Sequence, residues 1–241
     1  MEEIKKLNWD NFELLIDESW HEDLRPFIES KECYNIYQHL KSLPKGEAIP
    51  KSDLLWRPFK ECKKEDLKVV FMGLSPYHTR ANNKDIADGL AFSTNQAKLP
   101  PSLELLYNAM DQDLDYKCKR NGNLKLLAMQ GVLLLNAAMT TSYQKAGNHL
   151  DLWRPFHEYM YKNVYSKVPD LVFVYFGKEA AKLQKLQMPF IHYGKIVEHP
   201  AAAARANRDF KHENLFSWTN NLLKMNKGIT IQWYEFNVLP F

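Results

Sequence analysis

Four places in the chain combine residue types that can hold a polar ligand. GLSPYH at residues 73–78 offers the Ser75 hydroxyl, the Tyr77 phenol and the His78 imidazole, and Asn136 offers an amide. Gly177-Lys178 supplies a turn and a cation, and His199-Pro200 supplies another imidazole. An amide presents a donor and an acceptor side by side, and an imidazole donates, accepts or carries a proton near neutral pH. Taken singly, each residue is commoner in a core or a turn than in a site. What gives them weight is the position they share.

Each cluster follows a short apolar run: residues 67–72 (LKVVFM), 132–135 (VLLL), 171–176 (LVFVYF) and, more weakly, 190–197 (FIHYGKIV). Continuous apolar character, rather than alternation, marks strands covered on both faces. Residues 102–111 and 153–164 carry helical spacing between the runs. This alternation predicts an α/β/α sandwich, a central four-stranded parallel twisted sheet flanked by helices. Ligands of open parallel sheets bind beyond the carboxyl ends of the strands, so the four clusters should meet at one crevice.

Composition narrows the rest. The 241 residues hold no internal repeat, low-complexity tract or long linker, so residues 1–241 read as a single domain. Lys+Arg 32 against Asp+Glu 29 leaves +3, too little for whole-chain charge to signal a nucleic acid, so any basic surface must be local. The longest apolar runs, 131–135 and 171–176, fall far short of the roughly 20 residues of a membrane helix. Residues 1–10 (MEEIKKLNWD) lack the apolar stretch of a signal peptide. A soluble, cytoplasmic, monomeric protein without a membrane partner is expected. Cys33, Cys62 and Cys118 form no CxxC pair, and His21, His39, His157, His192 and His212 show no ligand spacing, so neither disulfide framework, metal nor cofactor is expected.

These motifs resemble family 1 uracil-DNA glycosylases. GLSPYH at 73–78 with GLAFS at 89–93 is similar to the family's GQDPYH…GLAFS water-activating segment, and KLPPSL at 98–103 to its proline-rich loop. QGVLLLN at 130–136 is similar to the uracil-reading strand end, and His199-Pro200 to the start of the HPSPLS minor-groove loop. Residues 49–59 and IQW at 231–233 also follow the pattern, so the resemblance runs nearly end to end. It implies that Phe92 stacks on a flipped base, that Asn136 reads its edge and that Leu74 and His78 lie beside it. Tyr77 would crowd the 5 position of the pyrimidine, and His199 would donate to the departing base oxygen. Ser102 would touch the DNA backbone, and His149 would be structural. Such an enzyme flips its target out of the stack, at a cost of a few kcal/mol, and the pocket must offset that cost.

Two departures stand out. The family's aspartate, which orients water and faces the sugar cation, is replaced by Ser75. A serine can hold water but brings no charge, and loss of one preorganised electrostatic group costs about 10²–10³ in rate. Other members of the superfamily work with Asn or an apolar residue there. The segment from 78 to 93 is also longer than usual and contains Asp85 and Asp88, either of which is a candidate replacement carboxylate. In the minor-groove loop HPSPLS becomes HPAAAA. The leucine wedge aligns with Ala203, and the backbone-pinching serines align with Ala201 and Ala204. A methyl group fills little of a vacated base position. Lys178, Lys182, Lys185, Arg205, Arg208 and Lys211 flank the crevice and suit phosphate contacts.

The expected function is a DNA glycosylase that flips out a pyrimidine and hydrolyses its N-glycosidic bond, leaving an abasic site. Uracil is the default base; a modified pyrimidine, such as one in phage DNA, is the variant, with a role in defence instead of repair. The competing expectation is a catalytically impaired DNA-binding or polymerase-accessory protein on the same fold.

Overall fold

A computed structural model describes residues 12–187 and 191–233; the leader reading of residues 1–10 lies outside them. Four strands position everything that follows: β1 (Val69–Gly73), β2 (Val132–Asn136), β3 (Leu171–Phe176) and β4 (His192–Val197). They are hydrogen-bonded in the order β2-β1-β3-β4, every pair parallel. From β1 the chain crosses to β2 on one side and then to β3 on the other, so the topological switch point lies at the carboxyl end of β1. Register sets Gly73 beside Asn136 and Phe176 beside Val197, bringing the strand ends out along one edge.

Every residue of β1, β2 and β3 is buried, as continuous apolar runs require. The weaker fourth run belongs to the edge strand β4, where Ile196 is exposed. Helices flank the sheet: α1 (Pro101–Leu114), α2 (Leu150–Tyr159), α3 (Pro200–Arg205) and α4 (Leu215–Lys227). The helix expected at 102–111 lies inside α1, which opens with proline in its first turn, where a missing N–H does no harm. The one expected at 153–164 is α2 running on into a π-helical turn, Met160–Val164. Among the described residues, no helix is long and apolar enough to cross a membrane.

The core reaches the crevice through aromatic side chains. Phe71 at the centre of the sheet meets Phe176 at 5.1 Å between ring centroids, and Phe176 meets Phe92 at 4.8 Å, both edge to face. Burying such a side chain stabilises by about 1.5–3 kcal/mol, so the crevice floor continues the buried core.

Candidate active site

At the carboxyl ends of β1, β2 and β3 lies a cavity of about 200 Å³. Residues singled out in the sequence line it, among them Leu74, Ser75, Tyr77, His78, Phe92, Ser102, Asn136, Lys178, His199 and Arg205. This is below the 300–1,000 Å³ of drug-sized sites and suits a single heterocycle.

Asn136, the last residue of β2, is 6% exposed, and among the described residues its side-chain amide has no hydrogen-bond partner. That amide opens onto the cavity, where its donor and acceptor can meet a ligand. Gly73 makes room for it: a Cβ there would collide with Asn136 Oδ1.

His199 sits just before α3. Its Nδ1 accepts a hydrogen bond from the Ala201 N–H at 3.1 Å. A backbone amide can only donate, so the proton of the neutral ring belongs to Nε2. Burial, assisted by the Arg205 cation, lowers the His199 pKa to about 4, so at neutral pH the ring is an uncharged Nε2–H donor. Gly177, at φ +86°, lets the chain turn beneath it; a Cβ there would come within 3.0 Å of His199 Cβ.

Phe92 holds φ +65°, a left-handed conformation that costs a bulky residue of order 1–3 kcal/mol. The brace is Asp88, whose carboxylate accepts from Leu90 N at 3.2 Å and Ser93 Oγ at 2.7 Å, on either side of Phe92, and pairs with Arg57 Nη1 at 2.8 Å. Asp88 is thus a buried support for the ring, and its carboxyl, pushed up by burial against the pull of Arg57, lines no part of the cavity. Asp85 is not there either: it closes a short hairpin with Asn82 and Asn83 at its turn and binds Arg80 Nε at 2.7 Å. Both aspartates are corrected as replacement carboxylates, since each is already held by an arginine.

Ser75 stays in the crevice wall. Its Oγ accepts from Gly147 N at 3.1 Å, and its proton has only a long 3.4 Å contact with Pro76 O, leaving it able to turn to a water. Tyr77 is fixed from two sides, 3.0 Å from Phe92 O and 3.0 Å from Ser102 Oγ, and burial pushes its phenol well above the usual tyrosine range. Leu74 and His78 meet the cavity, with their carbonyls tied to Ala138 N at 2.9 Å and Gln144 N at 2.7 Å.

The rim differs from expectation. Ala203, aligned with the wedge, is 0% exposed because α3 packs against α1 and turns that position inward; residues 205–209 form the exposed tip. Arg208 is engaged by the Glu198 carboxylate, Nη1 to Oε2 at 2.7 Å, and Lys182 by Glu179 at 2.6 Å. Lys178 and Arg205 remain as exposed cations that also line the cavity. Phe176, Ala146 and Glu179 line it without having been expected. Phe176 was findable, being the residue that ends β3 just before the turn at Gly177. Among the described residues, no group of three His, Cys, Asp or Glu side chains is gathered to hold a metal ion.

Comparison with known proteins places the chain in a family. Residues 59–224 match the family model of the uracil DNA glycosylase superfamily. The chain is 33% identical over 222 residues to the uracil-DNA glycosylase of Pseudomonas aeruginosa (strain UCBPP-PA14), covering 90% of this chain and 94% of that one. It is 31% identical over 226 residues to that of Borrelia turicatae (strain 91E135), covering 92% and 99%. The crystal structure of mimivirus uracil-DNA glycosylase superposes with a TM-score of 0.83 at 24% identity, over 92% of this chain and 89% of that one, a likeness of fold.

Proposed function

Because the chain belongs to the uracil DNA glycosylase superfamily and is thereby a DNA glycosylase, we propose that it is a divergent family 1 enzyme that flips uracil out of DNA and hydrolyses its N-glycosidic bond. One observation carries the reading: the Asn136 amide, without a hydrogen-bond partner among the described residues, shares a cavity with a neutral His199 donor and Phe92. Stacking a base on an aromatic ring is worth about 1–3 kcal/mol, which offsets much of the flipping cost. The Asn136 amide complements the O4 and N3–H edge of uracil, one donor to one acceptor in each direction.

Bond cleavage sends the electron pair of the C1′–N1 bond onto the base and leaves cationic character on the sugar. The His199 Nε2–H donates to the base oxygen where negative charge collects and keeps its proton. A water then adds to C1′, and the proton it sheds passes to the departing uracil anion, giving free uracil and an abasic site. Ser75 orients that water without charge, so the reaction runs slower than with a carboxylate, by a factor of about 10²–10³. Lys178 and Arg205 hold the phosphates near the opening, and affinity falls with salt accordingly.

Tyr77, pinned at 3.0 Å on both sides, favours uracil over a pyrimidine with a bulky 5-substituent and so speaks against the phage-DNA variant. The accessory-protein reading draws on the uncharged Ser75 and the inward-turned Ala203. Mass spectrometry of bases released from uracil-containing and modified-base DNA, single- and double-stranded, separates the readings. Uracil release supports excision; DNA binding with no base released from any substrate establishes the accessory role.

A further inference from the structure

The base cavity has a neighbour. A groove of about 610 Å³ runs alongside it, bounded by Ile86, Lys98 and Pro100, and the two share Tyr77, Ser102, Ala201 and Arg205 as common wall. The 3.0 Å contact between Tyr77 and Ser102 closes part of that wall. We propose that Ser102 is a positioning residue that sets base specificity: its O–H pins the Tyr77 phenol as the partition between base cavity and groove.

Proton accounting fixes the direction of the bond. The Phe92 carbonyl can only accept, so Tyr77 gives its single proton there, and the second contact must run from Ser102 O–H to the Tyr77 oxygen. The Ser102 proton is thereby engaged inside the protein, and Ser102 is 5% exposed. Both facts set it apart from the DNA-backbone contact that the resemblance implied. The inference rests on the uracil reading for its substrate. With Asn136 on the O4 and N3 edge, His199 at O2 and N1 joined to the sugar, the C5–C6 edge is left to face Tyr77. A Tyr77 hydroxyl held by one contact in place of two would let the ring yield toward the groove and admit a 5-substituent.

The test compares Ser102→Ala, Ser102→Thr, Tyr77→Phe and the double variant Tyr77→Phe/Ser102→Ala for release of uracil, thymine and 5-hydroxymethyluracil from single-stranded DNA. Loss of one neutral hydrogen bond, about 1 kcal/mol, corresponds to a rise of about fivefold in the ratio of thymine to uracil release for Ser102→Ala. Ser102→Thr, which keeps the hydroxyl, keeps the wild-type ratio, and the double variant adds nothing to Tyr77→Phe. An unchanged ratio, with weaker DNA binding and a shallower salt dependence, overturns the inference and returns Ser102 to the DNA backbone. A wild type that releases no uracil defeats the functional reading instead. The partition is then read from the NMR signal of Tyr77 labelled at Cζ: exchange-broadened in Ser102→Ala and sharp in Ser102→Thr supports it, and identical spectra refute it.

Discussion

The floor and the rim of the crevice are built in opposite ways. On the floor, Asn136, Phe92 and Tyr77 are buried or half-buried and held by structure beneath them: the space left by Gly73, the Asp88 brace, and the paired contacts of the Tyr77 hydroxyl. At the rim, residues 201–208 present alanines, an inward-facing Ala203 and an Arg208 tied to Glu198. Recognition of a base needs fixed donors and acceptors in a dry pocket, whereas holding a duplex open needs protruding side chains. The two requirements fall on different elements, so one can be thinned while the other stays whole.

The strongest test of this contrast removes a floor group. Asn136→Ala and His199→Ala should each lower single-turnover base release by about 10²–10³, the typical cost of one preorganised donor, with unfolding midpoints close to wild type. Retention of wild-type rates by both variants would place the site elsewhere. Next in size comes Ser75 in the crevice wall, uncharged where the family resemblance implies a carboxylate. Ser75→Asp should raise uracil release by about tenfold or more, part of the same electrostatic effect regained, since an aspartate can still accept from Gly147 N. An unchanged rate would mean that water is held by another group.

Acid should also separate floor from rim. His199 and His157, both buried, have pKa values lowered to about 4 from the ordinary 6.5. The unfolded chain therefore takes up protons as pH falls from 6.5 to 4 while the folded one does not, and stability declines across that window. The slope is up to about 1.4 kcal/mol per pH unit for each histidine. At the rim, hydrogen bonding to Arg208 holds the Glu198 carboxyl below the usual carboxylate range, so that pair persists as the floor weakens. Denaturant melts from pH 7 to 4 check the slope, and base release should lose no activity to His199 protonation until pH approaches 4.

Much of the floor was readable from residue order alone, because parallel strands reveal themselves as continuous apolar runs and their carboxyl ends must share an edge. Asn136 and His199 are found that way. The rim was harder, since whether a position on a short helix faces in or out depends on its neighbour: alignment made Ala203 a wedge position, but the packing of α3 against α1 decides otherwise. Asp88 misled for a related reason. An aspartate in a glycine-containing loop looks free until a partner distant in the chain, Arg57, is brought to it.

The smallest expected effect follows from that correction and bears directly on the contrast. Position 203 has no space for a larger side chain, so Ala203→Leu should overpack the contact between α3 and α1 and destabilise by about 1–3 kcal/mol without aiding duplex substrates. Ala206, exposed in the tip beside the cavity-lining Arg205, has room for a larger apolar side chain. Ala206→Leu should raise the ratio of double- to single-strand uracil release by a few-fold, since a wedge repays part of the unstacking cost of a few kcal/mol. Rates on matched single- and double-stranded oligonucleotides measure that ratio. A rise with Ala203→Leu and none with Ala206→Leu would mean that α3 turns outward on DNA, making the rim a rearranging element and not a thinned one.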